Sequence, residues 1–458
     1  MTDPASFRDP AGVVFYENGM VKRRIHSCYM PQYRKLTGSG LYRELVSAGM
    51  LIPHRELPEE SGPDELVIRP LRVPMISYPY EWPFGMLRDA ALLTLRIHKT
   101  ALRYGMSLKD ASAYNIQFIA GRPVLIDTLS FEMYQDGEPW CAYGQFCRHF
   151  LAPLLLMCHT DLRLNQLLRV YMDGIPLDLA DRLLNGKGGW TARVHIRWHA
   201  RAIRNHGEDG REERRKKVLR LPLSRQLAMI ESLETAVGRL RLRNTVTEWG
   251  DYYSGTNYSA EAATGKSEYV RKLLAETGAG TVWDLGANDG RYTRLALDSG
   301  ASLAIAFDMD PVAVERNYNT VRKSGENILP LLLDLSNPSP SIGFANRERT
   351  ALPCRGMPDC ILMLAVIHHL AISNNLPFER IAEWLGGLTA FLIIEFVPKD
   401  DSQVRRLLRN RADVFPGYTQ EEFERVFSRV FQLRRRFPLP GSLRTLYLWE
   451  RRAETAEQ

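Results

Sequence analysis

The stretch "TVWDLGANDGRYTRLALDSG", residues 281–300, decides the fold of the second half of the chain. Its apolar beginning predicts a β-strand, its glycines predict a tight turn, and the remainder has helical spacing. In open α/β sheets, ligands bind where the carboxyl ends of strands meet the helices that follow them. The stretch therefore predicts a ligand-binding loop that includes Asp284, Gly286, Asn288 and Gly290.

The region from 246 to 452 alternates strands and helices around this loop. Strands are predicted near 281–285, 302–308, 328–334, 359–365 and 389–396. One helix is predicted from Pro311 to a stop at Gly325, and another begins with Thr419 and Glu422 in capping-box spacing. The final run "FQLRRRFPLPGSLRTLYLWERR" predicts a hairpin at the sheet edge. Such alternation predicts one open α/β domain with a mostly parallel sheet.

Two further regions precede this domain. Residues 1–200 mix short apolar runs with helical stretches, which predicts an α+β domain for substrate or partner recognition. Residues 201–245 contain 12 Lys or Arg and 6 Asp or Glu, so this basic helical connector carries +6 of the formal charge of +7. Glu212 and Glu213 interrupt its most basic run, which favours a solvated helix over an RNA- or lipid-binding patch without excluding either.

The composition of the 458 residues is that of a globular protein, with 45% hydrophobic and 25% charged residues. The chain has no run of 18 apolar residues and does not begin like a secretory signal, so we expect a cytoplasmic protein without a membrane span. Six cysteines without a C-x-x-C pair predict neither a disulfide framework nor a zinc ribbon. A cluster of Cys and His residues lies in an apolar helical window that favours core packing over metal binding, so we assign no metal site. Its members are Cys141, Cys147, His149, Cys158 and His159.

The charge of the 284–290 loop indicates the kind of cofactor. A dinucleotide would place a pyrophosphate here, held by a G-x-G-x-x-G pattern that this loop lacks. Asp284 and Asp289 would repel a phosphate group, whereas they suit a cationic ligand. S-adenosylmethionine carries a sulfonium and an α-ammonium group and no phosphate, so the signs of the charges favour it.

Carboxylates at the ends of the next two strands complete the predicted cofactor site. Asp308 is placed to accept hydrogen bonds from both hydroxyls of a ribose, with Asp310 as the alternative. Asp334 is predicted to accept from the adenine amino group while Leu335 donates its backbone N–H. The simpler interpretation is a Rossmann-like domain in which Asp308 only flanks a helix.

The order "VWDLGANDG", "AFDMD", "LLLDLS", "ILMLAVIHHL" and "LIIEFVPKDD" resembles class I S-adenosylmethionine-dependent methyltransferases. The resemblance covers about the last 200 residues and implies a Rossmann-like methyltransferase domain. The whole chain also resembles rhizobial host-specific nodulation proteins of the NoeA type, themselves methyltransferase-like. This second resemblance implies a context of nodulation and names no acceptor.

The methyl acceptor is expected beyond the fourth strand, where His368 and His369 follow its end. Either imidazole could deprotonate a hydroxyl near neutral pH, or one could instead cap the helix or pack under the cofactor. The N-P-P-Y type motif of amino-directed nucleic-acid enzymes is missing here, which favours a hydroxyl or carbon on a small polar or glycan acceptor. The alternatives are an RNA methyltransferase and an S-adenosylmethionine-binding scaffold without turnover.

An aromatic segment, "TEWGDYYSGTNYSAEAATGKSEYV", comes before the first strand of this domain. In related methyltransferases a segment here folds over the cofactor, and we predict that Tyr253 and Lys266 contact its methionine end. Packing of a helix onto the sheet is the alternative. Glu395 and Lys399, at the end of the fifth strand, either bind a polar substrate or begin the next helix.

The N-terminal region contains a pattern that resembles a degenerate protein kinase. Asp110 and Asn115 have D-x-x-x-x-N spacing, and Asp127 follows a short apolar strand, in the order of a catalytic loop and a metal-binding aspartate. No His-Arg pair precedes Asp110, and Thr-Leu replaces Phe-Gly after Asp127. Residues 1–60 show neither a Gly-rich loop nor a clear strand lysine. We therefore expect recognition without phosphoryl transfer, and the alternative is that Asp110 and Asn115 cap or turn the chain.

Overall fold

The computed structural model describes residues 2–206, 221–242, 247, 260–409 and 412–453, without the side chains of 199–206 and 260–262. The chain divides into two compact units. The first combines Met1–Asn244 with Ser341–Thr350, and the second combines Thr245–Pro340 with Ala351–Gln458.

The first unit contains an antiparallel four-stranded sheet in the order β1-β2-β4-β3. Two small antiparallel pairs, β5 with β8 and β6 with β7, accompany it. The strands are β1 (Gly12–Glu17), β2 (Met20–His26), β3 (His54–Glu56), β4 (Glu65–Pro70), β5 (Met106–Leu108), β6 (Ile116–Ile119), β7 (Arg122–Leu125) and β8 (Phe131–Met133).

Helices make up much of the remaining part of the first unit. They are α1 (Met30–Gly38), α2 (Leu41–Ser47), α3 (Phe84–Arg103), α4 (Tyr143–Phe146), α5 (Ala152–His159), α6 (Leu167–Val170), α7 (Leu177–Leu184), α8 (Trp190–His206) and α9 (Leu223–Gly238). A π-helical turn at Cys147–Leu151 joins α4 to α5. The predicted α+β class is confirmed for this unit, and α8 and α9 extend the helical structure into the predicted connector.

The segment Ser341–Thr350 belongs to the first unit although it lies in the second half of the chain. The buried Glu348 carboxylate accepts from Arg8 Nε at 2.8 Å and from the Phe344 N–H at 2.7 Å. The Thr350 N–H donates to Tyr78 Oη at 2.8 Å. Because the partners Arg8 and Tyr78 lie far away in sequence, local patterns could not predict this membership.

The second unit is built on a seven-stranded sheet in the order β11-β10-β9-β12-β13-β15-β14. Its strands are β9 (Thr281–Leu285), β10 (Leu303–Asp308), β11 (Ile328–Leu332), β12 (Cys360–Met363), β13 (Phe391–Phe396), β14 (Phe431–Pro438) and β15 (Thr445–Arg451). The five strands β9 to β13 are parallel, and β15 and β14 form the antiparallel hairpin at one edge. The expected mostly parallel sheet is confirmed.

Its helices are α10 (Ala260–Thr277), α11 (Arg291–Asp298), α12 (Pro311–Ser324), α13 (Phe378–Gly386), α14 (Ser402–Leu408) and α15 (Gln420–Val430). The predicted helix ends are confirmed: Gly325 ends α12 with φ +73°, and the Thr419 hydroxyl caps α15 by accepting from the Glu422 N–H at 3.2 Å. The positive φ explains why glycine stands after α12.

Two predicted strands end earlier than expected, and both ends lie beside the predicted site. β11 stops at Leu332, and the chain turns at Leu335 and Ser336 after one further bond from the Leu333 N–H to the Asp308 carbonyl. β12 stops at Met363, and Ala365 adopts φ +57° two residues later.

Among the described residues, no helix is long and apolar enough to cross a membrane.

Candidate cofactor site

The loop after β9 forms the centre of the site. Gly286 (φ +87°), Asn288 (φ +50°) and Gly290 (φ +83°) all have positive φ, and Gly290 directly precedes α11. The N–H groups of Gly286 and Ala287 both donate to the carbonyl of Phe307, at 2.8 and 2.9 Å. The loop is therefore tied to the neighbouring strand β10, and the predicted tight turn is present.

Both glycines are required by space as well as by backbone conformation. A Cβ atom at Gly286 would lie 2.3 Å from Val366 Cγ2, and one at Gly290 would lie 2.5 Å from the side-chain amide of Asn317. Real Cβ atoms essentially never approach other atoms that closely. Val366 belongs to the segment after β12, so the loop packs tightly against the end of the next strand in the sheet.

Asp284 is buried near the carboxyl end of β9. Its Oδ2 accepts from the Thr293 hydroxyl at 2.6 Å, from the first turns of α11. Burial raises the pKa of Asp284 to about 7, with a smaller contribution from the charge of Asp308, while the Thr293 bond opposes the rise. The carboxyl group is thus balanced between its neutral and charged forms near neutral pH, and a cationic partner would favour the charged form.

Asp308 ends β10 and faces the same loop. Its Oδ2 accepts from the Asn288 N–H and its Oδ1 from the Asp310 N–H, both at 2.8 Å. Each carboxylate oxygen has a second lone pair, so capacity for a further hydrogen bond remains. Burial raises the pKa of Asp308 to about 6 against these two backbone bonds. Asp308 thus fastens the loop and keeps acceptor capacity for a ligand.

Asp310, the alternative to Asp308, has a different role. Its Oδ1 accepts from the N–H groups of Val312 and Ala313, at 2.8 and 3.1 Å, and so caps α12. Since this oxygen satisfies two backbone donors at a helix start, Asp310 acts as an N-cap.

Asp334 lies beyond the end of β11 and is exposed, not within the strand as expected. Its Oδ1 accepts from the backbone N–H and the hydroxyl of Ser336, at 2.8 and 2.6 Å. Leu335 lies between these residues and is half-buried. Asp334 and Leu335, the two predicted adenine contacts, therefore lie just after the end of β11, which is the neighbour of β10 in the sheet.

His368 and His369 follow β12, with their ring centroids 4.2 Å apart. His368 is buried, and its Nδ1 has no hydrogen-bond partner among the described residues. Burial, and then the charge of Arg444, lowers the pKa of His369 to about 4, and burial also lowers the pKa of His368 well below its usual value. Both rings are therefore neutral at pH 7 and are weak bases in this state.

The strained backbone at Ala365 lies just before these histidines. Positive φ is uncommon for a residue with a Cβ and costs about 1 kcal/mol or more. Such strain is concentrated at binding and catalytic sites. Ala365 lies between the end of β12 and His368, so this outlier is close to the predicted acceptor side.

Lys266, in α10, is predicted to contact the methionine end of the cofactor, and it belongs to a buried ionic network. Its Nζ lies 2.6 Å from Glu395 Oε2, and the other Glu395 oxygen lies 3.6 Å from Arg444 Nη1. Arg444 Nε donates to Asp401 at 2.7 Å. All four side chains are at most 11% exposed. Burial lowers the pKa of Lys266 while the Glu395 charge opposes this.

Sequence reasoning missed Arg444 and Asp401 in this network, because nothing in their spacing links them to Lys266. It singled out Glu395 as a substrate-binding or helix-starting residue, whereas the structure makes it the internal partner of two cations. Lys399 pairs with Asp413 at 2.8 Å. Tyr253 and its aromatic neighbours Trp249, Tyr252 and Tyr258 lie outside the described residues.

The kinase-like pattern of the first unit is brought together in space. The Asp110 carboxylate accepts from Gln145 at 2.8 Å and the Ser112 N–H at 2.9 Å, and burial followed by the Asp127 charge raises its pKa. Asp127 forms an ion pair with Arg23. Asn115 donates to Ser130 at 3.3 Å. The aspartates thus serve turns and an internal ion pair here, and a recognition role remains a prediction.

The Cys and His cluster of the first unit is mostly buried in helices. Cys147 and His149 lie in the π-helical turn before α5, and Cys158 lies near the end of α5. Cys141 is exposed. Burial lowers the pKa of His149 to about 3, which keeps the ring neutral within the core.

The sheet order, the glycine loop and the acidic strand ends define the class of the second unit. The second unit has the Rossmann-like fold of a class I methyltransferase domain, as the sequence resemblance implies. A comparison with protein-family models finds no match. The chain is 34% identical over 463 residues to nodulation protein NoeA of Rhizobium meliloti (strain 1021), covering 97% of this chain and 95% of that protein. It belongs to the NoeA family.

Solved structures similar to the chain include methyltransferases. N-methyltransferase NodS from Bradyrhizobium japonicum WM9 is 13% identical over 43% of this chain and 99% of that chain, with a TM-score of 0.32. Magnesium protoporphyrin IX methyltransferase (ChlM) from Synechocystis PCC 6803, with bound SAH, is 17% identical over 44% of this chain and 93% of that chain, with a TM-score of 0.31.

Proposed function

We propose that this protein transfers a methyl group from S-adenosylmethionine to a hydroxyl or carbon of a small polar or sugar-containing acceptor, in the modification of a nodulation factor or cell-surface glycan. The observation that carries the proposal is a pair of carboxylates, Asp284 and Asp308, at the carboxyl ends of adjacent parallel strands. Burial raises both pKa values, so a ligand that brings a cation and hydroxyl donors would satisfy both groups. S-adenosylmethionine brings an α-ammonium group and a ribose diol.

Each predicted cofactor residue of the strand ends and the 284–290 loop has a role in this proposal. Asp284 binds the α-ammonium group, Asp308 accepts from the ribose hydroxyls, and Asp334 with the Leu335 N–H holds the adenine. Gly286, Asn288 and Gly290 shape the loop so that its backbone approaches the ligand. When bound, the cofactor supplies an electrophilic methyl group on its sulfonium. The chain aligns the acceptor with that group.

Tyr253 and Lys266 remain the proposed contacts to the methionine end. The buried pairing of Lys266 with Glu395 supports this proposal, since it holds α10 against the end of β13 and so fixes the position of the Lys266 ammonium group. The nodulation context rests on the NoeA family, whose member in Rhizobium meliloti is named a nodulation protein.

Replacing Asp308 with Ala is expected to weaken binding of S-adenosylhomocysteine by about 1.5–3 kcal/mol, roughly tenfold or more. The change removes the ribose acceptor and the anchor of the Asn288 N–H together. Isothermal titration calorimetry measures the affinity, and Asp298→Ala, an exposed carboxylate at the end of α11, is the matched control. An Asp308→Ala variant that binds as tightly as the Asp298→Ala control would exclude the assigned role.

Cofactor binding is expected to strengthen as the pH rises through about 7. Because the pKa of Asp284 is raised to about 7 by burial, the free protein holds a proton there below that pH, and a bound ammonium group favours its release. Calorimetry of S-adenosylmethionine binding in buffers of different ionisation enthalpy should record proton release near pH 6.5. An Asp284→Asn variant should bind more weakly and lose this release. Release of equal size in the variant would place the titration elsewhere.

Turnover is tested with methyl-labelled S-adenosylmethionine and fractionated cell extract, which should yield a labelled product. If His369 or His368 is the base, the corresponding His→Gln variant is expected to lower kcat about 10²–10⁴-fold while S-adenosylhomocysteine affinity stays near that of the native protein. Because the pKa of His369 is about 4, activity that depends on its neutral form should persist at pH 6.

Cofactor binding without product from any fraction would favour a binding scaffold without turnover, and label in RNA would favour an RNA methyltransferase.

A further inference from the structure

Helix α8 of the first unit carries an apolar stripe on its outer face. Trp190, Val194 and Trp198 are spaced by four residues and are 81%, 39% and 67% exposed. Residues four apart lie on the same face of a helix, and the two indoles are about 12 Å apart along its axis. Tryptophan is seldom exposed to this degree, so a pair of them on one face indicates a surface that contacts something.

The opposite face of α8 is already occupied. Ala192, His195 and Ile196 are buried. His195 joins two neighbouring helical segments, with its Nδ1 2.6 Å from Tyr143 Oη and its Nε2 3.1 Å from Ser232 Oγ. The outer stripe is therefore not a core face that turned outward, because the helix has a separate, filled core face.

Two arginines of α8 lie beside the outer stripe. Arg193 and Arg197 lie three and seven residues after Trp190, on the same face, and Arg197 pairs with Asp181 at 3.2 Å. The sequence from 193 to 220 contains ten Arg or Lys and four Asp or Glu. Tryptophan and aliphatic side chains next to arginines, in a stretch of sequence with an excess of positive charge, match the boundary between the headgroups and acyl chains of an anionic membrane.

We propose that the outer face of α8 docks the protein on an anionic membrane surface, with Trp190, Val194 and Trp198 entering the headgroup boundary and the arginines facing the lipid phosphates. Val194 favours lipid over single-stranded RNA, because an aliphatic side chain gains from burial in a lipid boundary but offers no ring for base stacking. The inference does not depend on the proposed methyl transfer.

Sedimentation of the full chain with phosphatidylcholine vesicles, with and without about one part in three phosphatidylglycerol, tests this docking. Binding should require the anionic lipid and weaken as salt rises from about 0.1 to about 0.5 M. The double variant Trp190→Ala/Trp198→Ala should bind these vesicles at least about tenfold more weakly. The control Leu71→Ala/Val170→Ala removes two exposed apolar side chains elsewhere in the first unit and should bind as the native protein does.

Three outcomes would overturn the proposal. The first is no binding to anionic vesicles, and the second is binding that the tryptophan variant keeps in full. The third is that binding of single-stranded RNA, or self-association, requires both tryptophans while vesicle binding does not. Circular dichroism and S-adenosylhomocysteine affinity of the double variant should match those of the native protein, which separates loss of docking from loss of folding.

Discussion

Glu395→Gln is expected to lower the free energy of unfolding of the second unit by about 3–5 kcal/mol. Glu395 is fully buried and faces Lys266 and Arg444, which are themselves 3% and 4% exposed. Removing its charge leaves two buried cations with less compensation than their desolvation requires. Chemical denaturation followed by tryptophan fluorescence measures the effect, since Trp283 and Trp449 are buried in this unit.

Two comparisons make this expectation specific. Glu383→Gln breaks an exposed ion pair, in which the Glu383 side chain is 61% and the Arg380 side chain 77% exposed. This change should alter the free energy of unfolding by about 1 kcal/mol or less. The double variant Lys266→Met/Glu395→Leu removes one charge of each sign and should be more stable than Glu395→Gln alone. Equal losses for Glu395→Gln and Glu383→Gln would show that burial of the network contributes nothing.

Gly286→Ala is expected to weaken S-adenosylhomocysteine binding at least about a hundredfold, equivalent to about 3 kcal/mol. Two costs combine: the positive φ at residue 286, and a Cβ atom 2.3 Å from Val366 Cγ2. Each is of the order of 1–3 kcal/mol, and the loop can relieve them only by leaving the conformation that faces Asp308. Calorimetry of the folded variant gives the affinity.

The matched control is Gly300→Ala. Gly300 has φ +105° but open space where its Cβ would lie, so it isolates backbone strain from crowding. Adding Val366→Ala to Gly286→Ala removes the crowding atom and should recover part of the lost affinity. If the Gly286→Ala variant binds S-adenosylhomocysteine as tightly as the Gly300→Ala variant does, the close approach of the loop to Val366 is not required for cofactor binding.

The local sequence determined most of the fold of the second unit. Strand and helix positions follow from hydrophobic period, and the helix stop at Gly325 and the cap at Thr419 follow from side chains that act on their own backbone. The positions of Asp284 and Asp308 at neighbouring strand ends were also predictable. Parallel strands place their carboxyl ends along one sheet edge, so knowing the strand order is enough to bring such residues together.

Only the tertiary structure decided what several of these residues do. Asp310 caps a helix and Asp308 does not, because the Asp310 carboxylate reaches the first N–H groups of α12. Lys266 has an internal anionic partner, because the Glu395 carboxylate lies 2.6 Å from its Nζ. Lys266 and Glu395 are 129 positions apart in the sequence, and their contact leaves no periodic signal because contacts between distant segments depend on how elements pack and not on local spacing. For the same reason, the sequence by itself only indicated a shared kinase-like pattern for Asp110 and Asp127. The structure alone gave Asp127 an internal cation, Arg23, and placed 341–350 in the first unit.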